Sequence, residues 1–127
     1  MEKTSRRAAA MVSHIIAILR RSPLVKDLEV LEVVEEENVQ LLRVIVEIID
    51  GSTLHIREAL FPSASKYSYH WQTPTGELLL RWDNAPHHLH IPTYPDHKHE
   101  GERINPSARV SVEEVLAGVA AALKTDR

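Results

Sequence analysis

Histidines concentrate in one part of the sequence, between Tyr67 and Glu100. Six of the eight histidines fall in this stretch: His70, His87, His88, His90, His97 and His99. A histidine is costly to bury unless it is hydrogen-bonded, and its side chain exchanges protons near neutral pH. Both tryptophans and all three tyrosines lie in the same stretch. We therefore interpret residues 67–100 as the functional part of the chain and the remainder as its scaffold.

The first chemistry that these residue types support is RNA cleavage without a metal. The reaction needs a base for the 2′-hydroxyl, an acid for the leaving 5′-oxygen and a cation for the phosphate. His88 can pair with His97 or His99 as acid and base, and an arginine or lysine can hold the phosphate. The predicted catalytic residues are His88, His97, His99, Arg81, Asp83 and His70, and the predicted substrate-binding residues are Lys98, Asn84, Tyr69 and Trp71. Asp83 would orient a histidine, Asn84 would brace a turn, and the aromatic rings would stack a base.

The second chemistry is metal binding. His88 with His90, and His97 with His99, form two His-x-His pairs, and residues i and i+2 of a strand point the same way. A carboxylate could complete such a site for a divalent metal such as Zn or Mn, or for Fe. Prolines at 86 and 92 argue against regular strand pairing there, so we favour a mechanism without a cofactor.

A third interpretation is a binding module without catalytic activity, whose histidines dock a partner. Some of these residues also have a simpler structural explanation. His55 and His87 are more typical of structural histidines, and His70 fits a half-buried structural role as well as a catalytic one. Trp71 and Trp82 are more typical of core or edge positions than of base-stacking platforms.

Two helices frame the sequence. Residues 4–21 carry an apolar stripe at helical spacing, and Ser22-Pro23 ends it because proline disfavours a helical residue before it. Ser111 and Glu114 form a capping box that opens a second helix over 111–124. The stripe of this second helix is Val112, Val115, Leu116, Val119 and Leu123.

The segments between the helices alternate as strands do. Residues 26–36 fit a helix or a strand, and their β-branched valines favour a strand. Asp50-Gly51 marks a hairpin, for which a three-residue loop with Gly51 in the left-handed conformation pairs apolar residues with apolar residues. Four prolines in residues 84–109 predict a His-rich loop there, of the length that is usually functional.

These elements predict an α+β fold. We expect one domain over residues 1–127, with helix 4–21, sheet 26–83, His-rich loop 84–109 and helix 111–124. The sheet would be an antiparallel meander of about five strands, with both helices on one face. The other face, or an exposed sheet edge, would then be free for a partner or a second copy in a homodimer.

Composition narrows the function classes. The net charge of −3 gives no strongly basic footprint for nucleic acid, although a local basic face remains compatible with it. The absence of cysteine excludes disulfides, thiolate metal ligands and a thiol nucleophile. No apolar stretch resembles a signal peptide or a membrane span, so we expect a cytoplasmic protein without a membrane partner.

Three segments carry a family resemblance: Tyr69-His70-Trp71-Gln72, the run from Arg81 to His88 (RWDNAPHH), and His97-Lys98-His99. In order and spacing they resemble the TumE-like family, the toxins of prokaryotic toxin–antitoxin pairs, over roughly residues 35–125. The resemblance implies a small toxin paired with an antitoxin, commonly a helix-turn-helix protein. Together with the histidine chemistry, it predicts a toxin that acts on RNA as a small ribonuclease.

Overall fold

The computed structural model describes the backbone of residues 2–125 and the side chains of residues 11–125. The helices are α1 (Glu2–Arg21) and α2 (Val112–Thr125), and the strands are β1 (Val25–Glu36), β2 (Val39–Ile48), β3 (Thr53–Phe61), β4 (Ala64–Gln72), β5 (Leu78–Asp83), β6 (His97–Glu100) and β7 (Arg103–Pro106). Each strand pairs antiparallel with the next along the chain. The α+β class and the meander are confirmed, but the sheet has seven strands rather than about five.

The two additional strands lie inside the segment expected to be a loop. His97–Glu100 pairs with β5 and then turns at Gly101, with φ of 61°, into β7. The loop prediction for 84–109 is therefore wrong over residues 97–106. The prolines of this segment are compatible with the pairing. Three of the four precede β6. The fourth, Pro106, is the last residue of β7 at the edge of the sheet, where an N–H is not needed for a hydrogen bond to another strand.

The other local predictions agree closely with the structure. Residues 25–36 form a strand, which resolves the helix-or-strand ambiguity. The β2–β3 hairpin has the three-residue loop: the N–H of Ile48 donates to the oxygen of Ser52 over 2.9 Å, and Gly51 has a φ of 91°. At the start of α2, the N–H of Glu114 donates to Ser111 Oγ over 3.2 Å, and the N–H of Ser111 donates back to Glu114 Oε1 over 3.0 Å.

Both helices cover the same face of the sheet, as expected. The core on this face joins α1 and α2 to alternate residues of the strands: Val12, Ile15, Leu19, Val44, Val46, Leu54, Ile56, Tyr69, Trp71, Trp82, Val115 and Val119 are among its buried members. α2 approaches the sheet closely at Gly118, where an added Cβ would lie 3.1 Å from the Trp82 ring. The opposite face carries no helix in the part of the chain that the structure describes, and we call it the open face.

Candidate functional site

Two rows of cross-strand neighbours run across the open face. The first row is His55, His70, Arg81 and His99, on β3, β4, β5 and β6 in turn. The second row is Arg57, Ser68, Asp83 and His97 on the same strands. Neighbouring strands lie about 4.8 Å apart, so each residue lies next to the following one in its row. The strand pairing thus brings together residues that are far apart in sequence.

Asp83 stands at the centre of this arrangement and is only 4% exposed. Its Oδ1 accepts a hydrogen bond from the N–H of Ala85 over 2.9 Å, and its Oδ2 accepts one from Arg81 Nε over 2.8 Å. Oδ1 also lies 3.0 Å from Nε2 of His97, and Oδ2 lies 3.5 Å from Nε2 of His99. Burial by itself raises the pKa of this carboxyl, but the hydrogen bonds from Ala85 and Arg81 outweigh it, so the pKa lies below its ordinary value.

His97 is the most enclosed histidine of the group, with 2% of its surface exposed. Its Nδ1 lies 2.9 Å from the carbonyl oxygen of Pro95. A carbonyl oxygen only accepts, so Nδ1 donates this bond and Nε2 is the nitrogen that faces Asp83. The segment 84–96 between β5 and β6 therefore supplies both the carbonyl that orients the ring and the cover that excludes water from it.

His88 and His99 complete a cluster of three imidazole rings. The ring centroids of His88 and His97 are 4.7 Å apart, those of His97 and His99 are 4.8 Å apart, and those of His88 and His99 are 5.7 Å apart. We call His88, His97, His99 and Asp83 the histidine cluster. Burial is the main cause of the lowered pKa of His99, and the negative charge of Asp83 opposes this shift without reversing it.

Arg81 and His70 extend the site along the first row. Nη1 of Arg81 lies 3.1 Å from Nδ1 of His70. A guanidinium only donates, so Nδ1 of His70 accepts and its Nε2 carries the proton. Burial, and then the positive charge of Arg81, lower the pKa of His70. Arg81 consequently contacts a carboxylate on one side and a neutral imidazole on the other.

Two predicted substrate-binding residues lie in the core. Tyr69 is 1% exposed and donates its hydroxyl hydrogen to Glu58 Oε1 over 2.6 Å. Trp71 is 2% exposed and donates Nε1–H to Ser52 Oγ over 2.8 Å. Both rings face the helices rather than the open face, and almost none of either ring is exposed for stacking a base.

The other two are also separated from the histidine cluster. Lys98 alternates with its histidine neighbours and points to the opposite face, where Nζ lies 5.3 Å from the centre of the Trp82 ring. Asn84 uses its side chain to brace β4, accepting from the N–H of Tyr67 and donating to the oxygen of Ser65. His90 is exposed, with its ring 6.3 Å from that of His88, and it lies outside the group of ligand atoms that converge.

Sequence reasoning missed the cationic groove beside the cluster. A groove of about 300 Å³ is lined by Arg57, Lys66 and Arg81 together with Asp83. A second groove of about 320 Å³ shares Arg57 and Arg81 and continues to Arg43. The sequence did contain a signal for this groove, because the alternation of β2 and β3 places Arg43 and Arg57 on the face opposite to the apolar residues. The open face therefore offers several cations next to the rings.

The arrangement supports two kinds of chemistry. His88 and His99 reach the surface more than His97 does, and His99 lies beside a carboxylate that is bonded to an arginine. Two such imidazoles can transfer protons at a phosphate held by cations. The same rings also present nitrogen atoms at distances suited to a metal ion, since the ligand atoms of His88, His97 and His99 all lie within 4.8 Å of one another.

The family model described as Toxin TumE matches residues 15–126. The chain belongs to this toxin family. The match includes every member of the histidine cluster and confirms the resemblance read from the three segments of the sequence. A TumE toxin implies an antitoxin as partner. Neither a curated protein nor a solved structure matches the chain. Between residues 2 and 125, no helix has both the length and the apolar character needed to cross a bilayer.

Proposed function

We propose that this TumE toxin acts on RNA as a small ribonuclease that uses histidine acid–base chemistry within residues 81–99. The observation that carries the proposal is the histidine cluster, in which partly exposed His99 lies beside the Arg81–Asp83 pair and partly exposed His88 lies beside His99. RNA cleavage by this route needs no more than a base, an acid and a cation, and all three lie within this group.

His99 and His88 are assigned the proton transfers. His99 has a lowered pKa, so its neutral form predominates at neutral pH and can accept the proton of the 2′-hydroxyl. The 2′-oxygen then bonds to phosphorus while the bond from phosphorus to the 5′-oxygen breaks. Protonated His88 donates its proton to that leaving oxygen. The products are a 2′,3′-cyclic phosphate and a free 5′-hydroxyl.

Asp83 and His97 act as positioning residues in this scheme. Both are buried, so neither is assigned a contact with the substrate. Asp83 holds Arg81 through Nε and lies against both histidines of β6. Nη1 of Arg81 contacts His70, so Nη2 is the nitrogen assigned to a phosphate oxygen.

The cationic groove supports a polyanionic substrate. Arg57 and Lys66 are exposed and line the same groove as Arg81. Neighbouring phosphates of an RNA chain can bind such a row of cations without base specificity. This local basic face reconciles RNA binding with the net charge of −3.

The test is cleavage of total RNA and transfer RNA by the purified chain, with and without EDTA. His88→Ala and His99→Ala are the test variants. His90→Ala is the matched control, because His90 belongs to the same segment but lies outside the cluster. We expect cleavage to survive EDTA, to persist in His90→Ala and to be lost in the other two. Cleavage that is unaffected by His88→Ala and His99→Ala would refute the assignment.

A toxin that acts by binding alone is the alternative, and the enclosure of His97 favours it, since a fully buried ring is also what a structural cluster would contain. A growth assay in cells distinguishes catalysis from binding alone. Growth arrest that needs the groove residues Arg57 and Lys66 but survives His99→Ala would indicate docking without catalysis.

We also propose that the antitoxin, of the helix-turn-helix kind, covers β1. β1 is an edge of the sheet, and Val30, Leu31 and Val33 on it are each more than 40% exposed. Exposed apolar edges attract another chain. The glutamates on and beside this strand are Glu29, Glu32, Glu35, Glu36 and Glu37. Like charges would repel in a homodimer paired through β1, so a basic antitoxin segment fits this edge better.

A pulldown with the co-expressed antitoxin tests this docking site. Val33→Lys should release the antitoxin because it places a cation opposite a basic segment. Leu89→Lys is the control and should retain the antitoxin, because Leu89 is exposed but lies in the segment between β5 and β6, away from β1. Retention of the antitoxin by Val33→Lys, or a homodimer in its absence, would contradict the assignment of β1.

A further inference from the structure

We propose that His88, His97 and His99 bind one divalent transition-metal ion of the zinc class, with Asp83 as the fourth ligand. The inference goes beyond RNA cleavage and does not depend on it, since it rests on the positions of four side chains. None of the four is needed to fill the core, which lies on the other face of the sheet.

The distances suit such an ion after a small closure. The ligand nitrogens of the three rings lie within 4.8 Å of one another. Zinc–nitrogen bonds of about 2.0–2.1 Å in a tetrahedron place the nitrogens about 3.3 Å apart. β6 fixes His97 and His99 on one face, with Lys98 between them in the sequence. His88 belongs to the connecting segment 84–96, so its side chain is the one that must turn inward to close the site.

His97 has the outer hydrogen bond that is typical of a metal ligand. Histidines that bind a metal usually donate the other ring nitrogen to a carbonyl or carboxylate, which fixes the tautomer. His97 does so, because Nδ1 donates to the carbonyl of Pro95 and Nε2 faces the interior of the cluster. The ligand nitrogen of His97 is therefore already directed to where the ion would lie.

Asp83 lies outside the three converging ligand atoms, but its carboxylate lies beside two of the rings and can supply a fourth ligand. An ionised carboxylate has about four acceptor positions. The N–H groups of Ala85 and Arg81 occupy one position on each oxygen, and Nε2 of His97 and Nε2 of His99 lie 3.0 Å and 3.5 Å from the two oxygens. An ion bound here would lie between these nitrogens and the carboxylate.

The ligand set selects the class of metal. Three imidazoles and one carboxylate suit zinc and its neighbours, whereas magnesium and calcium prefer oxygen ligands. Arg81 is the cation nearest to the site, and its bond to Asp83 Oδ2 places its charge against the carboxylate rather than against the ion. The carboxylate of Asp83 would offset part of the charge of the metal.

Binding is measured on the full chain without RNA. Protein dialysed against a chelator is titrated with Zn²⁺ in competition with a chromophoric zinc indicator, and the bound metal is counted by elemental analysis. We expect one equivalent for the wild type and for His90→Ala, and an affinity at least about tenfold lower for His88→Ala and for His99→Ala, as loss of a coordinating or supporting group produces. Loading with Co²⁺ should give the visible absorption bands of a tetrahedral ion in the wild type and in His90→Ala, but not in His88→Ala or His99→Ala.

Failure of this inference is distinct from failure of the proposed ribonuclease. Absence of stoichiometric Zn²⁺ binding, or equal binding by His88→Ala and wild type with the circular dichroism spectrum unchanged, overturns the metal site and leaves the cleavage test untouched. Binding accompanied by Zn²⁺ inhibition of cleavage supports both, because the ion and the transferred proton occupy the same nitrogens. Binding accompanied by cleavage only with Zn²⁺ keeps the metal site and overturns the metal-independent mechanism.

Discussion

Replacing Asp83 by asparagine separates the charge of this side chain from its shape. Both carboxylate oxygens of Asp83 accept an N–H group, from Ala85 and from Arg81. An asparagine has only one acceptor oxygen, so one of the two donors must face the amide NH2 in either orientation. The substitution therefore breaks a charge-assisted hydrogen bond and leaves a partly buried donor without its partner.

The expected magnitude follows from these contacts. A hydrogen bond to a charged group contributes about 1.5–3 kcal/mol, and a buried unsatisfied group costs about 1–3 kcal/mol. These terms overlap, so we expect Asp83→Asn to lower the free energy of unfolding by about 2–4 kcal/mol at pH 7. Urea unfolding of wild type and variant measures this difference in the free energy of unfolding. Glu100→Gln is the control, because Glu100 forms an exposed pair with Lys98 and such pairs contribute about 0–1 kcal/mol.

The pH dependence of the free energy of unfolding is a second, independent check of the role of Asp83. The pKa of Asp83 in the folded chain lies below the ordinary value of 3.8, so ionised Asp83 stabilises the fold above that pH. This contribution disappears as the pH falls through the lower pKa of the folded state. The stability gap between wild type and Asp83→Asn should therefore narrow below about pH 4. A gap of the same size at pH 3 and pH 7, or no gap at pH 7, would refute the role given to this carboxylate.

Three further predictions concern the scaffold, and urea midpoints check each of them. Tyr69→Phe should cost about 1–3 kcal/mol, because buried Glu58 loses its hydroxyl donor; an unchanged midpoint would mean that Glu58 finds another. Ser111→Ala should cost about 1 kcal/mol through loss of the cap on α2, with the effect absent if Glu114 alone secures that end. Gly51→Ala should cost about 1–2 kcal/mol, because its φ of 91° strains any residue with a Cβ; equal stability would show that the loop can change its conformation.

Local signals in the sequence predicted most of the scaffold. Pro23 marked the end of α1, and Ser111 with Glu114 marked the start of α2, because the chemistry of a helix end lies within a few residues. The three-residue loop at Gly51 followed from the requirement that apolar residues share a face. β6 and β7 were missed because proline density suggested a loop, whereas the prolines flank the pairing region or stand at its edge.

The site was predicted in its residue types but less well in its assembly. The contact between Asp83 and His97 depends on how the segment 84–96 returns β6 to β5, and no local pattern encodes that return. The roles of Tyr69 and Lys98 were open to prediction, since strand alternation places each on the face opposite to the neighbouring histidines. The same alternation places Arg57 on the open face with His55, although an arginine by itself does not mark a site.

The strict chain-order pairing of the sheet has a consequence for how the toxin becomes active during synthesis. Each strand finds its partner in the segment made just before it, so the sheet can grow from β1 onward with short loop closures, which favours rapid folding. β6 is the strand that delivers His97 and His99, and it leaves the ribosome after most of the sheet. A nascent chain that ends before residue 97 carries Asp83 and Arg81 but no histidine cluster. The long edge at β1, by contrast, is exposed early, so an antitoxin that binds there could engage the chain before its chemistry exists.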